Sequence, residues 1–202
     1  MSLPFSPASE RNREPILAAM APRLAEAGRL LEIGAGTGQH AVFMASALRG
    51  WQWLPTDRAA VLDTLGQRLH AEATENVATA RALDVLSDTW PEGPFDAAYS
   101  ANTAHIMSWE AVCAMLAGVA RVLRSGGRFF LYGPFNVGGQ FTAPSNRTFD
   151  TSLRRRDPAM GLRDLEALES EAGRHQMILT EHVAMPANNA LLVFDKENGT
   201  DD

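Results

Sequence analysis

Strand-like and helix-like segments alternate along this chain of 202 residues, and that alternation restricts the fold more than any other feature. Short apolar runs predict strands over 29–33, 51–56, 81–86, 95–100 and 128–132. Amphipathic patterns predict helices over 39–49, 59–75, 109–123 and 162–172, and two strand-like runs, 176–185 and 190–194, then follow in direct succession. The order predicts an α/β fold, with a doubly wound, mostly parallel sheet of seven strands that ends in a C-terminal antiparallel hairpin.

The length of the chain fits one domain, 1–202, with a full hydrophobic core. Two segments of it carry no clear strand or helix pattern. Residues 1–15 are polar and bracketed by prolines, and we interpret them as an N-terminal lid, with a frayed terminus as the alternative. Residues 133–161 are rich in Gly, Pro, Asn and Thr and predict a long loop, which is unusual inside a domain unless it binds a ligand.

The composition argues against several partners. The formal net charge of −6 provides no general attraction to nucleic acid or to an anionic membrane. No apolar stretch reaches the roughly 20 residues of a membrane span, and the N-terminus has no apolar signal region. The single cysteine, Cys113, suits a reducing compartment, so we expect a cytoplasmic protein.

A glycine-rich turn follows the first predicted strand, in the sequence Glu32-Ile-Gly-Ala-Gly-Thr-Gly38. Glycines at alternate positions let the backbone turn sharply and approach a flat ligand. The dinucleotide pattern Gly-x-Gly-x-x-Gly is incomplete because Gln39 stands where its third glycine belongs, and no Gly-Lys-Ser/Thr sequence is present for a phosphate loop. The acidic Glu32 just before the glycines favours a ligand with a positively charged amine.

These residues resemble the first motif of class I S-adenosylmethionine-dependent methyltransferases. The stretches Ser9–Leu17, Leu31–His40, Tyr132–Phe135 and Met185–Asn189 resemble, more narrowly, the small methyltransferase-like family known as DUF938. The resemblance covers almost the whole chain and implies a Rossmann-like fold with S-adenosylmethionine as cofactor. It also favours the lid interpretation, because Asn12 and Arg13 match family positions, but it supplies no methyl acceptor.

The predicted strand ends supply the remaining cofactor contacts. Asp57 follows the second strand at the offset where an acidic side chain accepts ribose hydroxyls, and a helix-capping role is the alternative. Asp84 follows the third strand, where the resemblance implies a contact with the adenine amine and an apolar cover from Val85; a solvated carboxylate is the alternative. The predicted cofactor contacts are Arg13, Glu32, Gly34, Ala35, Gly36, Gly38, Asp57, Asp84, Val85 and Asn102.

The loop after the fourth strand is expected to face the methyl group and the acceptor. It contains Asn102 and His105, and His105 is the candidate catalytic base because its ordinary pKa lies near neutrality, with a structural histidine as the alternative. The Asn-Pro-Pro-Tyr motif of many amino-group methyltransferases is missing. The other histidines show no ligand spacing with carboxylates or cysteines, so no metal is predicted.

The predicted loop 133–161 supplies the candidate acceptor contacts Asn136, Arg147 and Arg154. Guanidinium groups match carboxylates and phosphates, although a solvated helix face with internal ion pairs is the alternative for Arg154 and its neighbours. We therefore predict a methyltransferase that acts on an unidentified small-molecule acceptor. A nicotinamide-dependent oxidoreductase and a non-catalytic cofactor-binding protein remain as alternatives.

Overall fold

The computed structural model describes residues 3–87 and 89–198 of the chain. It contains ten strands in the described part of the chain: β1 (Gly28–Ile33), β2 (Trp51–Asp57), β3 (Arg81–Ala82), β4 (Phe95–Ala101), β5 (Leu123–Gly133), β6 (Phe135–Val137), β7 (Gln140–Phe141), β8 (Arg163–Asp164), β9 (Met177–Met185) and β10 (Asn189–Lys196). The α-helices in the same ranges are α1 (Pro7–Met20), α2 (Gln39–Ala47), α3 (Leu62–Glu72), α4 (Trp109–Val122), α5 (Pro144–Arg156) and α6 (Leu165–Gly173).

Seven of the strands form one sheet in the order β3-β2-β1-β4-β5-β10-β9. Strands β1 to β5 run parallel, and β10 pairs antiparallel with both β5 and β9. The predicted doubly wound, mostly parallel sheet with a C-terminal antiparallel hairpin is thus confirmed. Strand order reverses between β1 and β4, and ligands of such sheets bind at the carboxyl ends of the strands beside that reversal.

Helices cover both faces of the sheet, so both faces are apolar. On one face α1 and α2 bury Ile16 and Met44 against Trp53 and Tyr99 of the sheet. On the other face α4 packs against β5 with a nearly continuous apolar side, and α6 packs against α4 and β9. The sheet is thus enclosed between two apolar cores, and the loops at its carboxyl edge lie outside them.

The prediction of a long loop over 133–161 was wrong. This segment forms β6 and β7, which join β8 in a small three-stranded sheet, and then the helix α5. Hydrophobic periodicity missed α5 because its buried face is largely polar, with Asn146 and Asp150 alongside Leu153. The helix begins at Pro144, a residue that suits the first turn because its missing N–H has no helical partner there.

Other element bounds also differ from the predictions. The third strand ends at Ala82 rather than at residue 86, since Asp84 turns the chain by accepting a hydrogen bond from the Leu86 N–H. The helix predicted over 59–75 begins with a 3-10 turn and ends at Glu72, after which Asn76 donates to carbonyls beside β2. The N-terminal segment is mostly helical; residues 1 and 2 lie outside the described residues.

Among the described residues, no helix combines the length and apolar character needed to cross a membrane.

Candidate functional site

The glycine turn connects β1 to α2 at the carboxyl edge of the sheet. Gly34 and Gly36 have φ angles of 74° and 56°, which L side chains rarely adopt. At Gly34 a Cβ would also collide with Thr103 of the loop after β4. At Gly36 a Cβ would meet no atom within 4 Å, so the backbone borders open space there. A flat ligand therefore has room to lie against Gly36, which is the fit that a bound S-adenosylmethionine requires.

Asp57, the last residue of β2, holds the glycine turn. Its Oδ2 accepts a hydrogen bond from the Gly36 N–H at 2.7 Å, and its Oδ1 accepts one from the Arg58 N–H at 2.7 Å. The residue that precedes the following 3-10 turn is Arg58, and that turn has no side-chain cap. The capping alternative for Asp57 is thus absent, and its half-buried carboxylate lies directly beside Gly36.

Glu32 is a buried carboxylate beneath the glycine turn, only 2 % exposed. Its Oε2 accepts a hydrogen bond from the Trp53 Nε1–H at 2.7 Å, and no cation lies within ion-pair distance among the described residues. Burial raises the pKa of Glu32 to about 7, opposed by the Trp53 hydrogen bond and reinforced by the negative charge of Asp57. Such a group gains stability from a positively charged ligand.

Asp84 and Val85 follow β3, two strands away from the reversal. The Asp84 side chain is exposed, whereas Val85 and the preceding Leu83 are buried in the core. Because β3 neighbours β2, these residues lie on the side of Asp57 that is remote from β4. Together, the ends of β1, β2 and β3 provide an acidic and partly apolar edge.

The loop after β4 packs closely against the glycine turn. Ser100 Oγ donates to the Ile33 carbonyl at 2.8 Å and is 2.6 Å from Thr103 Oγ1. Asn102 adopts a positive φ of 58°, and its N–H donates to the Tyr132 carbonyl at the end of β5. The carboxyl ends of β1, β4 and β5 are thereby joined around Asn102.

His105 lies in the same loop and is buried. Its ring packs edge-on against Phe149 of α5, with ring centroids 5.1 Å apart. Burial, aided by the positive charge of Arg163, lowers the pKa of His105 to about 4, so the imidazole is neutral at pH 7. The guanidinium of Arg163 donates to the carbonyls of Ala104, Met107 and Ala159, which fixes this loop against the segment that follows α5.

Helix α1 covers the start of α2. Asn12 Oδ1 is 2.7 Å from His40 Nε2, and His40 Nδ1 is 3.2 Å from the Tyr99 hydroxyl of β4. Burial lowers the pKa of His40 to about 4, so this connection is made by a neutral ring. Sequence reasoning missed both the helix and the role of His40, although Ser6 followed by Pro7 was a usable helix-start signal.

Further contacts tie the N-terminal segment down. The Ser6 N–H donates to Gln39 at 2.6 Å, and Arg68 donates to the Pro4 carbonyl at 2.6 Å. Arg13 pairs with Glu10 and lies over the ring of Phe43, while its Nε is buried without a partner. The segment thus rests on the first turns of α2 and on α3.

The structure places the three predicted acceptor contacts in different surroundings. Asn136, in β6, is buried, and its Oδ1 has no hydrogen-bond partner. Arg147 is exposed on α5 and lies over the ring of Phe141. Arg154 donates to Asp150 at 2.8 Å, and Asp150 also accepts from the Leu162 N–H. Arg154 therefore forms an ion pair within its own helix, but with Asp150 and not with Asp157, Asp164 or Glu166, the partners expected for a solvated helix face.

A cavity of about 400 Å³ lies beside this edge, between α1, the end of β5 and the turn that joins β9 to β10. Its lining residues are Ala8, Arg11, Asn12, Pro15, Tyr132, Pro186, Ala187 and Asn189. All of them except Ala8 come from three of the stretches on which the family resemblance was based, but sequence reasoning did not bring these stretches together. The structure thus brings three distant stretches of the chain around one cavity.

No group of three or more His, Cys, Asp or Glu side chains with metal-binding geometry occurs among the residues that the structure describes.

Comparison with solved structures shows the same fold in methyltransferases. The chain is similar to an O-methyltransferase family protein from Burkholderia thailandensis, with a TM-score of 0.81 and 13% identity over 95% of this chain and 58% of that one. It is similar to the mitomycin 7-O-methyltransferase MmcR, with a TM-score of 0.80 and 14% identity over 94% and 54% of the two chains. Human N-acetylserotonin methyltransferase, solved in complex with S-adenosylmethionine, gives a TM-score of 0.78 and 15% identity over 95% and 53%.

The chain therefore spans a little over half the length of these solved structures. Identities this low show the fold alone. A family model also matches almost the whole chain, from residue 3 to residue 196, and its description is "Protein of unknown function (DUF938)". The chain belongs to the DUF938 family and has the fold of class I S-adenosylmethionine-dependent methyltransferases.

Proposed function

We propose that the protein is an S-adenosylmethionine-dependent methyltransferase that acts on a small-molecule acceptor. The observation that carries this proposal is the edge formed by Glu32, the open backbone at Gly36 and the adjacent Asp57 carboxylate, located where the strand order reverses. The solved structures with the same fold include a methyltransferase bound to S-adenosylmethionine and one that acts on mitomycin, which supports the cofactor and a small acceptor.

The residues at this edge match the parts of the proposed cofactor. Glu32 would balance the charge of the amino-acid end through a carboxylate that lacks a cation, with Gly34, Ala35 and Gly38 keeping the backbone close. Asp57 would accept the ribose hydroxyls, and Asp84 with Val85 would border the adenine. Arg13 would act from the lid, and Asn102 from the loop after β4, where the reacting end of the cofactor would lie.

S-adenosylmethionine, when bound, would supply a methyl group to a lone pair of the acceptor, and the electrons of the carbon–sulfur bond would stay on sulfur. The acceptor would lose its proton to solvent or to a base. The chain's own contribution is to align the acceptor and exclude water. His105 would be a weak base, because its pKa is lowered to about 4, and it would serve best as a neutral hydrogen-bond acceptor. Asn136, Arg147 and Arg154, in the segment 133–161, stay candidate contacts of the acceptor.

A small acceptor fits the electrostatics better than a nucleic acid. The net charge of −6 repels a phosphate backbone. We also propose that the segments 1–15 and 133–161 shield the site from water and do not bind a polymer.

The decisive experiment combines binding with turnover. Calorimetric titration should show that the wild-type protein binds S-adenosylmethionine and that Gly36→Val weakens this at least about tenfold, since a side chain would enter the ligand's space and strain a positive φ. Gly66→Ala, in helix α3 where a Cβ meets nothing within 4 Å, is the matched control and should bind normally.

Turnover is then measured as S-adenosylhomocysteine formation across pools of small-molecule acceptors, with a parallel titration of NADH. Binding of NADH in place of the methyl donor would overturn the proposal in favour of an oxidoreductase. Binding of the methyl donor with no turnover in any pool would favour a non-catalytic binding protein.

A further inference from the structure

We propose that the cavity between α1, Tyr132 and the β9–β10 turn binds the acceptor, that the acceptor carries a carboxylate, and that Arg11 binds this carboxylate. The inference rests on the proposed function, because it names the substrate class of that same site. It assigns a binding role to Arg11 and to the turn 186–189, which sequence reasoning did not connect with the site.

The size and walls of the cavity suit a small organic molecule. Its volume of about 400 Å³ lies within the range of ligand pockets in proteins. Ala8, Pro15, Pro186 and Ala187 form apolar walls without flexible side chains. Walls of this kind are complementary to a flat, ring-containing body and give little to bind an extended polar chain.

The other polar groups of the cavity include the Tyr132 hydroxyl and the Asn12 amide, which are uncharged and already hydrogen-bonded. Tyr132 is 3% exposed, and burial raises the pKa of its hydroxyl, against the effect of a hydrogen bond with Asn12. The Tyr132 hydroxyl is therefore protonated at pH 7. Asn12 is held by His40, so neither group attracts a charged ligand by itself.

Arg11 provides the one charge among the residues that line the cavity in the described part of the chain. It is exposed, and no hydrogen bond or ion pair joins its side chain to another described residue. The neighbouring Arg13, by contrast, pairs with Glu10 at 2.6 Å. An unpaired guanidinium at the rim of an apolar cavity is suited to a carboxylate, which it binds through two parallel hydrogen bonds.

The cavity lies next to the proposed reacting end of the cofactor. The backbone of Tyr132 accepts the Asn102 N–H at 2.9 Å, and Asn12 reaches His40 in the first turn of α2, directly after the glycine turn. A ligand anchored at Arg11 would thus point its far end toward the ends of β4 and β5.

Hydrogen bonds to α5 hold the turn 186–189, which forms the outer wall of the cavity. Ala187 and Asn188 adopt φ angles of 58° and 59°, and α5 holds this turn from outside. Asn146 donates to the Asn188 carbonyl at 3.2 Å, and Asn188 donates to Ser145 Oγ at 3.2 Å. The segment 133–161 therefore acts on the acceptor site by supporting the turn that lines it.

The test compares carboxylic acids with amides of the same shape. Benzoate, 4-hydroxybenzoate and phenylacetate, together with their carboxamides, are titrated by ligand-observed NMR against the full chain in the presence of S-adenosylhomocysteine. We expect at least one acid to bind about tenfold or more tightly than its amide, the size of a charge-assisted hydrogen-bond pair. Arg11→Gln should abolish this preference, and thermal melting should show an unchanged fold because Arg11 is exposed.

Arg155→Gln, which removes an exposed arginine of α5 outside the cavity, is the matched control and should keep the preference. Equal binding of acids and amides, no binding of any acid, or an acid preference that survives Arg11→Gln would each overturn the inference. Calorimetry with S-adenosylhomocysteine on the same samples separates the two proposals: acid binding through Arg11 without cofactor binding would refute the proposed function and leave an anion site.

Discussion

Replacing Glu32 by glutamine tests the physical basis of the cofactor site. Glutamine keeps the shape and an oxygen that can accept the Trp53 Nε1–H, but it removes the ionisable group. Burial raises the pKa of Glu32 from 4.5 to about 7, the Trp53 hydrogen bond opposes this shift, and the negative charge of Asp57 adds to it. Between pH 4.5 and about pH 7, Glu32 therefore keeps a proton in the folded state that it has already released in the unfolded state.

The magnitude follows from proton linkage. The stability that this proton provides is fully present below pH 4.5 and is lost as the pH rises through about 7. The displacement of the pKa corresponds to about 3 kcal/mol at ~1.36 kcal/mol per pH unit. Relative to the wild type, Glu32→Gln should thus gain about 3 kcal/mol between pH 4.5 and pH 8.

Urea unfolding of both proteins at pH 5, 6, 7 and 8 measures this change. The histidines 40 and 105 titrate in the same range with the opposite sign, but they are present in both proteins and cancel in the difference. Glu75→Gln, at an exposed position, is the control and should show no such trend. A stability difference that is independent of pH would refute the assignment of a buried, destabilised carboxylate.

The same variant has a second expected result if the cofactor site is correct. The positive amine of S-adenosylmethionine would lower the pKa of Glu32, so binding near pH 6.5 should release a proton. Calorimetry in two buffers of different ionisation enthalpy detects this release in the wild type. Glu32→Gln should bind more weakly and release none, whereas proton release that persists in the variant would exclude Glu32 as its source.

Three further outcomes follow from the same contacts. His105→Gln should reduce the loss of stability on acidification, because charging the buried His105 costs the wild type up to about 3 kcal/mol as the pH falls from 6.5 to about 4. Urea unfolding measures this loss, and an equal dependence of stability on pH in both proteins would contradict the burial of His105. Asp57→Ala should weaken cofactor binding at least about tenfold by calorimetry, while Asp63→Ala, exposed on α3, should not; normal binding by the first variant would remove Asp57 from the site. Arg147→Gln should raise the KM for an acceptor without changing cofactor affinity, and an unchanged KM would leave Arg147 with a surface role.

The sequence predicted the parts of the fold that depend on local patterns. Strands β1, β2 and β4 were predicted to within one residue because each is a short apolar run bounded by turn residues. The third strand instead ends at Ala82, and β5 begins at Leu123 and not at residue 128. The glycine turn was recognisable since a positive φ at Gly34 and Gly36 restricts the residue type, and a positional signal of that kind survives in the sequence.

Local patterns failed where tertiary contacts replaced hydrophobic periodicity. Helix α5 buries Asn146 and Asp150, which gain hydrogen-bond partners from Asn188 and Leu162 outside the helix. The pattern of apolar residues contains no trace of those partners. The contact between Asn12 of helix α1 and His40, residues 28 positions apart, is likewise invisible to a local pattern.

The sequence by itself determined the succession of strands and helices along the chain, the glycine turn, and the acidic residues Glu32, Asp57 and Asp84 at the ends of the first three strands. Only the tertiary structure decided which polar groups meet. It placed Glu32 away from water, and desolvation displaces the pKa of a carboxylate in a way that no sequence spacing records. It also brought Arg11, Tyr132 and Ala187 around one cavity, because the antiparallel β10 returns the end of the chain to β5 beneath α1.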